Sequence, residues 1–215
     1  MKAFKAYDIR GVWGEDLNQD IVYQIGFFFS KVIPCNKILI GRDGRISSDD
    51  MLKALTDGLT DAGVDVYDAG LSTTPMIYWG TGKFDFDASI MITASHNAAN
   101  YNGLKFSSKN VQPVGYDNGL NIIELLIEKH IKTKKSNNKG LVKEFRLKEH
   151  YLQFLKTYVS DSSGIKMAID CSNGVASLFV HDLFGRGIIY LNDSIDGTFP
   201  AHEPNPLLPE NQEQI

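Results

Sequence analysis

The chain has 215 residues, with 22 Lys and Arg against 26 Asp and Glu, a net charge of −4, 43% hydrophobic residues, 19 Gly and two Cys. That length accommodates one or two globular domains, and the composition excludes a disordered, collagen-like or disulfide-scaffolded chain. With no basic cluster denser than Lys132–Lys135, the mildly acidic chain offers little counterion release to a nucleic-acid backbone, so no nucleic-acid partner is expected.

The amino terminus, MKAFKAYDIRGVWG, is charged early and has no apolar core of signal-peptide length, so nothing marks it for export. Cys35 and Cys171 lie far apart with no CxxC spacing, which favours a reducing cytoplasm. Apolar residues at Ile21, Ile25, Phe28 and Val32 recur at helical spacing until Pro34 bars continuation. This window and Ile122–Ile127 are both too short to span a bilayer, and no membrane partner is expected. Lys37–Gly41 reads as a strand, followed by the loop Arg42-Asp43-Gly44-Arg45 and a helix carrying Leu52, Leu55 and Leu59 that stops at Gly63; Ser47 and Asp50 have the spacing of a capping box. A strand over Val64–Tyr67 leads through a Gly/Ser/Thr loop to a short helix opened by Pro75 and containing Ile77 and Trp79, and a third strand covers Ala88–Thr93.

Strands that are nearly continuously apolar, alternating with helices, predict an α/β fold with a mixed, mainly parallel sheet covered on both faces by crossover helices. Ligands of such sheets collect beyond the carboxyl ends of the strands, so the loops starting at Arg42, Gly70 and Ala94 should share one rim. Asn102–Ser107 predicts a further strand; Leu120, Ile123, Leu126 and Ile127 form a helical stripe; the polar run Lys132–Gly140 reads as a surface loop closing the first domain. We expect domains at 1–145 and 146–215. The second begins with a helix around Glu149–Val159, a strand at Lys166–Asp170, a Ser172-Asn173-Gly174 turn, a helix over Ala176–Phe184 and a strand at Ile188–Leu191. After Leu191 come four of the seven prolines and no further periodic segment. A two-stranded parallel sheet does not stand alone, so we expect this second domain to be incomplete and the chain to be a truncated piece of a longer protein, with self-association through that domain as another way of completing the sheet.

Thr93-Ala94-Ser95-His96-Asn97 follows a predicted buried strand, with Gly103 and Lys105 close behind. A serine hydroxyl needs a base, a metal or prior conversion to a phosphoester to transfer groups. Adjacency of Ser95 and His96 does not establish a dyad, no GxSxG elbow supports a hydrolase, and an isolated SHN would read as a polar turn. Arg10 in YDIRG, Arg42 and Arg45 in GRDGR, and Lys105 in NGLKF change that reading by bringing cations near glycines, as phosphate oxygens require. Taken singly, Arg42 and Arg45 read as surface residues pairing with Asp43 or Asp49, and Arg10 as a partner of Asp8. Together they suggest a phosphate-handling rim.

FKAYDIRG, GRDGR, TASHN with NGLKF, DCSNG and HEPNPL occur in order along the whole chain, and the sequence resembles the α-D-phosphohexomutases, particularly the phosphomannomutase/phosphoglucomutase group. The resemblance implies the amino-terminal portion of a four-domain isomerase that interconverts hexose 6-phosphate and hexose 1-phosphate, of mannose, glucose or both, through a phosphoserine and a hexose 1,6-bisphosphate. It implies Ser95 as phosphate carrier, Arg10 and Lys105 as phosphoryl contacts, and His96 or Lys105 as proton shuttle. Arg42, Arg45, Asn97 and Tyr7 complete the substrate and phosphate candidates. It further implies magnesium, bound through the Ser95 phosphate with its remaining ligands in an aspartate loop beyond Ile215, and hexose 1,6-bisphosphate as activator. Two departures stand out: Ala98 replaces the family's proline after TASHN, and the aspartate loop is absent. This chain alone is therefore expected to have little turnover, and a non-catalytic phosphosugar-binding or interaction fragment is the alternative. His130, His150 and His181 read as helical boundary side chains, His202 as a residue that could line the cleft, and Cys171 as buried and inert.

Overall fold

The computed structural model describes residues 1–160 and 164–215. Its first 156 residues build one sheet: β1 (Ile9–Val12), α1 (Gln19–Val32), β2 (Lys37–Arg42), α2 (Ser48–Asp61), β3 (Asp65–Leu71), α3 (Thr74–Lys83), β4 (Ala88–Ile92), β5 (Tyr101–Ser108), β6 (Gln112–Val114), α4 (Leu120–Glu128), β7 (Val142–Glu144) and α5 (Leu147–Lys156). The strand order is β1-β5-β4-β2-β3-β7, with β6 also on β5. β4, β2, β3 and β7 run parallel, whereas β5 is antiparallel to β4, β1 and β6. The sheet is therefore mixed, with a parallel centre.

Strand periodicity decides which core each residue enters. Ile38 and Ile40 of β2, with Ala88, Ile90 and Ile92 of β4, face a core completed by α1, α2 and α4. Leu39 and Met91 face the opposite core, where Met76, Ile77, Leu147 and Tyr151 come from α3 and α5. Asn18 caps α1 by accepting the Ile21 amide, and the helix ends at an extended Ile33, as the residue before a proline prefers. Thr73 caps α3 through the Met76 amide, with Pro75 in the first turn.

Four expectations need correction. Ser47 does not cap α2; its hydroxyl accepts from Asn102 on β5, so a long-range partner has displaced the local one. β3 runs on to Leu71, past the expected loop start at Gly70, because its backbone pairs with β2 and β7. β1 and β7, four and three residues long, form only through distant partners and carry no periodic signal of their own. His130 lies beyond α4, whose C-cap is Lys129, with a left-handed φ of 50°.

The remaining residues form β8 (Ala168–Asp170), α6 (Val180–Phe184) and β9 (Ile189–Leu191), with β8 and β9 a parallel pair. α5 touches both parts: Tyr151 packs near Trp79 of α3 on one side and Phe179 on the other. The segment after β9 returns to the first sheet, where Gly197 lies against the Gly44 carbonyl and the Arg45 backbone so closely that a Cβ there would overlap them. Among the described residues, no helix is long and apolar enough to cross a membrane.

Candidate active site

Because β2, β3 and β4 are parallel, their carboxyl ends lie together, and the loops after them are tied to one another. The Asp43 amide donates to the Ile92 carbonyl at 3.0 Å, and the Ser72 amide to the Arg42 carbonyl at 2.8 Å. The chain leaves β4 through Thr93, whose hydroxyl accepts the Ser95 amide at 3.0 Å, and turns at Ser95 with φ 58°. A non-glycine residue in that left-handed region costs about 1–2 kcal/mol, so the surroundings must hold it there. Ser95 and His96 are exposed above a buried Ala94. Ser95 Oγ lies 3.5 Å from His96 Nδ1, the outer limit of a hydrogen bond. Both line a cleft of about 390 Å³ together with Thr73, Thr74 and, from the second part of the chain, Ser172–Ala176 and Pro204.

A second cleft, of about 740 Å³, is lined by Tyr7, Asp8, Arg10, Asn97 and Lys105. Arg10 donates through Nη1 to Asn97 Oδ1 at 2.7 Å and through Nη2 to Asp8 Oδ2 at 2.5 Å, and Lys105 Nζ approaches the same Asp8 oxygen at 3.3 Å. One carboxylate thus holds two cations beside the serine turn. The Arg10 Nε–H is buried without an acceptor among the described residues. Arg10 can stand here because its register partner on β5 is Gly103, where a Cβ would overlap the Ile9 carbonyl. Tyr7, 87% exposed, leaves its ring free at the cleft edge.

Two of the expected rim cations are placed otherwise. Arg42 donates to Asp49 at 2.5 Å and lines a separate cleft with Gly70 and Arg146. It is not brought together with Ser95. Arg45, expected as a phosphate contact or as a surface residue, has a fully buried side chain. Nε–H donates to Asp43 at 3.2 Å, Nη1 to the carbonyls of Ala98 and Tyr101 at 2.7 and 3.0 Å, and Nη2 to those of Ser95 and Asn97 at 3.1 and 2.7 Å. A guanidinium has five donors, so none remains for an outside anion. Sequence reasoning also missed Asn102, fully buried, which bonds Ser47 and Ser48 through Nδ2. An asparagine inside an otherwise strand-like run was the available signal.

Two histidines, His181 and His202, serve the second part. His181 Nε2 meets Asp193 at 2.6 Å. His202 lies between the Glu203 carbonyl and Asp170, each at 2.9 Å, away from the cleft surface its neighbour Pro204 provides. The Glu203 carbonyl, opposed by burial and assisted by Asp170, raises the His202 pKa. Burial raises the Asp170 pKa, but the Ser172 amide, His202 and Asn192 outweigh it and the net shift is down. Cys35 and Cys171 are free thiols; burial lifts Cys171 and pushes Cys35 up to about 12, so neither is an activated nucleophile.

Among the described residues, no three His, Cys, Asp or Glu side chains converge as metal ligands. Asp43, which lines the same cleft as Ser95, already accepts from Arg45 and Ser48. The donor set of the described residues does not by itself fit magnesium, which asks for near-octahedral oxygen coordination.

Residues 1–136 match the family model described as phosphoglucomutase/phosphomannomutase, alpha/beta/alpha domain I. A phosphomannomutase of Escherichia coli is 37% identical over 98% of this chain and 49% of its own length. A phosphomannomutase/phosphoglucomutase of Pseudomonas aeruginosa is 32% identical over 99% of this chain and 46% of its own length. The crystal structure of a phosphoglucomutase/phosphomannomutase family protein from Burkholderia thailandensis superposes with a TM-score of 0.84 at 32% identity, over 99% of this chain and 48% of that one. The chain spans about half the length of the curated relatives it matches. With its first-domain match and its mixed sheet in agreement, the chain belongs to the phosphoglucomutase/phosphomannomutase family.

Proposed function

We propose that residues 1–215 supply the phosphate-carrying part of an isomerase that interconverts hexose 6-phosphate and hexose 1-phosphate, of mannose, glucose or both, through a phosphoserine and a hexose 1,6-bisphosphate. The observation that carries this reading is Ser95, exposed in a left-handed turn at the end of a wholly buried strand, two residues before an asparagine that holds Arg10. In the transfer, the Oγ–P bond of phospho-Ser95 breaks as a P–O bond to the sugar hydroxyl forms; the hydroxyl proton passes to a base, which relays it to the departing Ser95 Oγ. His96 Nδ1 lies near Oγ and is the favoured acceptor, with Lys105 the alternative. The bisphosphate then turns around in the cleft: the bond between its other phosphoryl group and the sugar oxygen breaks as Ser95 Oγ forms a new bond to that phosphorus, and the Oγ proton is relayed to the sugar oxygen set free. Arg10 and Lys105 neutralise developing charge on the phosphoryl oxygens, exchanging Asp8 for phosphate as partner.

Hexose 1,6-bisphosphate is proposed as activator and magnesium as cofactor. We assign magnesium no step, because the described residues bring no cluster of three ligating side chains together; Ser95 or its phosphate would be one ligand, and the others are expected in an aspartate loop outside residues 1–215. We take the boundary between the two domains at 145/146, with α5 as the arm by which the second leans on the first. A reducing cytoplasm and association through the open edges of the β8–β9 pair belong to the same proposal. The absence of a metal cluster among the described residues favours one second reading, a phosphosugar-binding fragment without turnover.

Intact mass after incubation with glucose 1,6-bisphosphate and magnesium separates the two. One stable added phosphate supports the carrier; an unmodified mass with measurable bisphosphate binding supports the second reading. A coupled assay from mannose 1-phosphate or glucose 1-phosphate is expected to give little turnover with residues 1–215 alone.

A further inference from the structure

We infer that Arg45 is the positioning residue of the serine turn: its guanidinium gathers the carbonyls of Ser95, Asn97, Ala98 and Tyr101 onto one buried plane and thereby fixes the Ser95 hydroxyl toward the cleft. This rests on Ser95 being the phosphate carrier.

The carbonyls of Ser95, Asn97, Ala98 and Tyr101 converge within seven residues and repel one another unless donors lie among them. Arg45 fits because both Nη groups fork over the turn while Nε anchors on Asp43. The anchor is itself fixed, since Asp43 Oδ1 accepts the Arg45 amide at 3.1 Å and the Ser48 hydroxyl at 2.8 Å. Ser48 accepts in turn from Asn102, at 3.1 Å. The Phe199 ring lies 5.0 Å from the guanidinium carbon, and Gly197 packs on the Arg45 backbone. The plane is thus held from β2, α2, β5 and the segment after β9. Burial lowers the Arg45 pKa, Asp43 opposes that, and the carbonyls supply the acceptors a buried cation requires. Ala98 stands within this loop, so the turn is fixed by the arginine where a proline ring does not fix it.

Lysine cannot reproduce this arrangement, because a single ammonium has three donors and no planar fork. In Arg45→Lys, amide exchange across residues 94–102 should accelerate about tenfold or more while the amides of β2 and β4 keep their protection. Phosphate uptake by Ser95 should slow by about a hundredfold with bisphosphate affinity changed less than about threefold, as a misplaced nucleophile predicts. Unchanged exchange in the loop would overturn the proposal, and so would a loss of affinity matching the loss of rate, the result expected of a direct phosphate contact. If the parent chain takes up no phosphate, the carrier reading fails, and loop exchange still decides the role of Arg45. If Arg45→Lys does not fold, the unaltered protein answers: NMR of its guanidinium should show restrained, slowly exchanging Nη–H signals that glucose 1,6-bisphosphate leaves in place. Freely rotating signals, or a shift on adding the sugar, would contradict the proposal.

Discussion

The two sheets of this chain reach the same rim by different means. In the first, β2 and β4 are enclosed between two cores, and Ile38, Leu39, Ile40 and Ile90 are wholly buried. In the second, β8 and β9 make one pair, and Ile189 is 63% exposed. The first is a scaffold that can hold a serine in a costly backbone conformation. The second leans on it through α5, the Gly197 contact and Phe199.

That contrast can be broken first at its core. Leu39→Ala should cost about 2–5 kcal/mol in urea or thermal unfolding, whereas Ile189→Ala should stay within about 0.5 kcal/mol. Similar losses at both positions would contradict the division into scaffold and leaning unit. Next, Ser95→Gly should stabilise the first part by about 1 kcal/mol, because glycine enters the left-handed region freely, while removing all phosphate uptake. A lowered thermal midpoint would show that the turn does not carry that cost.

Two pH effects sharpen the comparison, one in each part. The His202–Asp170 pair ties the tail to β8. His202 is raised from 6.5, so its contribution is full below that value and is lost as pH climbs through the raised folded value; Asp170 is lowered from 3.8, so its share is lost only as pH falls through the lowered one. Exchange protection of the second part should therefore decline as pH rises past 6.5 and as it falls past 3.8, and His202→Gln should flatten the upper limb. The smallest effect is expected in the polar loop of the first part. Asp61 is held down to about 2, chiefly by Lys135 against the cost of burial, with Tyr23 and Lys139 assisting. Its contribution is present above 3.8 and is lost toward about 2. Asp61→Asn should remove that acid limb from exchange at residues 132–140 and leave the rest of the sheet unchanged.

Much of the first sheet was legible in the sequence because each central strand is an apolar run bounded by glycine, proline or small polar residues. β1 and β7 were not, since short segments without periodicity become strands only when a partner distant in sequence is in place. The serine turn was legible through its position after a buried strand and through the company of Arg10 and Lys105. Arg45 reads from the sequence as facing outward and is instead buried: an arginine two residues after an aspartate looks like a surface ion pair, and the four carbonyls that bury it come from residues 95–101, which no local pattern connects to it. Asn102 shows the same limit from the other side, taking the Ser47 hydroxyl that local spacing had assigned to a helix cap.

Whether one hydroxyl on the rim of the first sheet carries phosphate is decided by peptide-level mass mapping after exposure to glucose 1,6-bisphosphate. A single phosphate should appear on the peptide containing Ser95 and none in Ser95→Ala; phosphate on any other residue, or equal labelling of the alanine variant, would show that this hydroxyl is not the carrier.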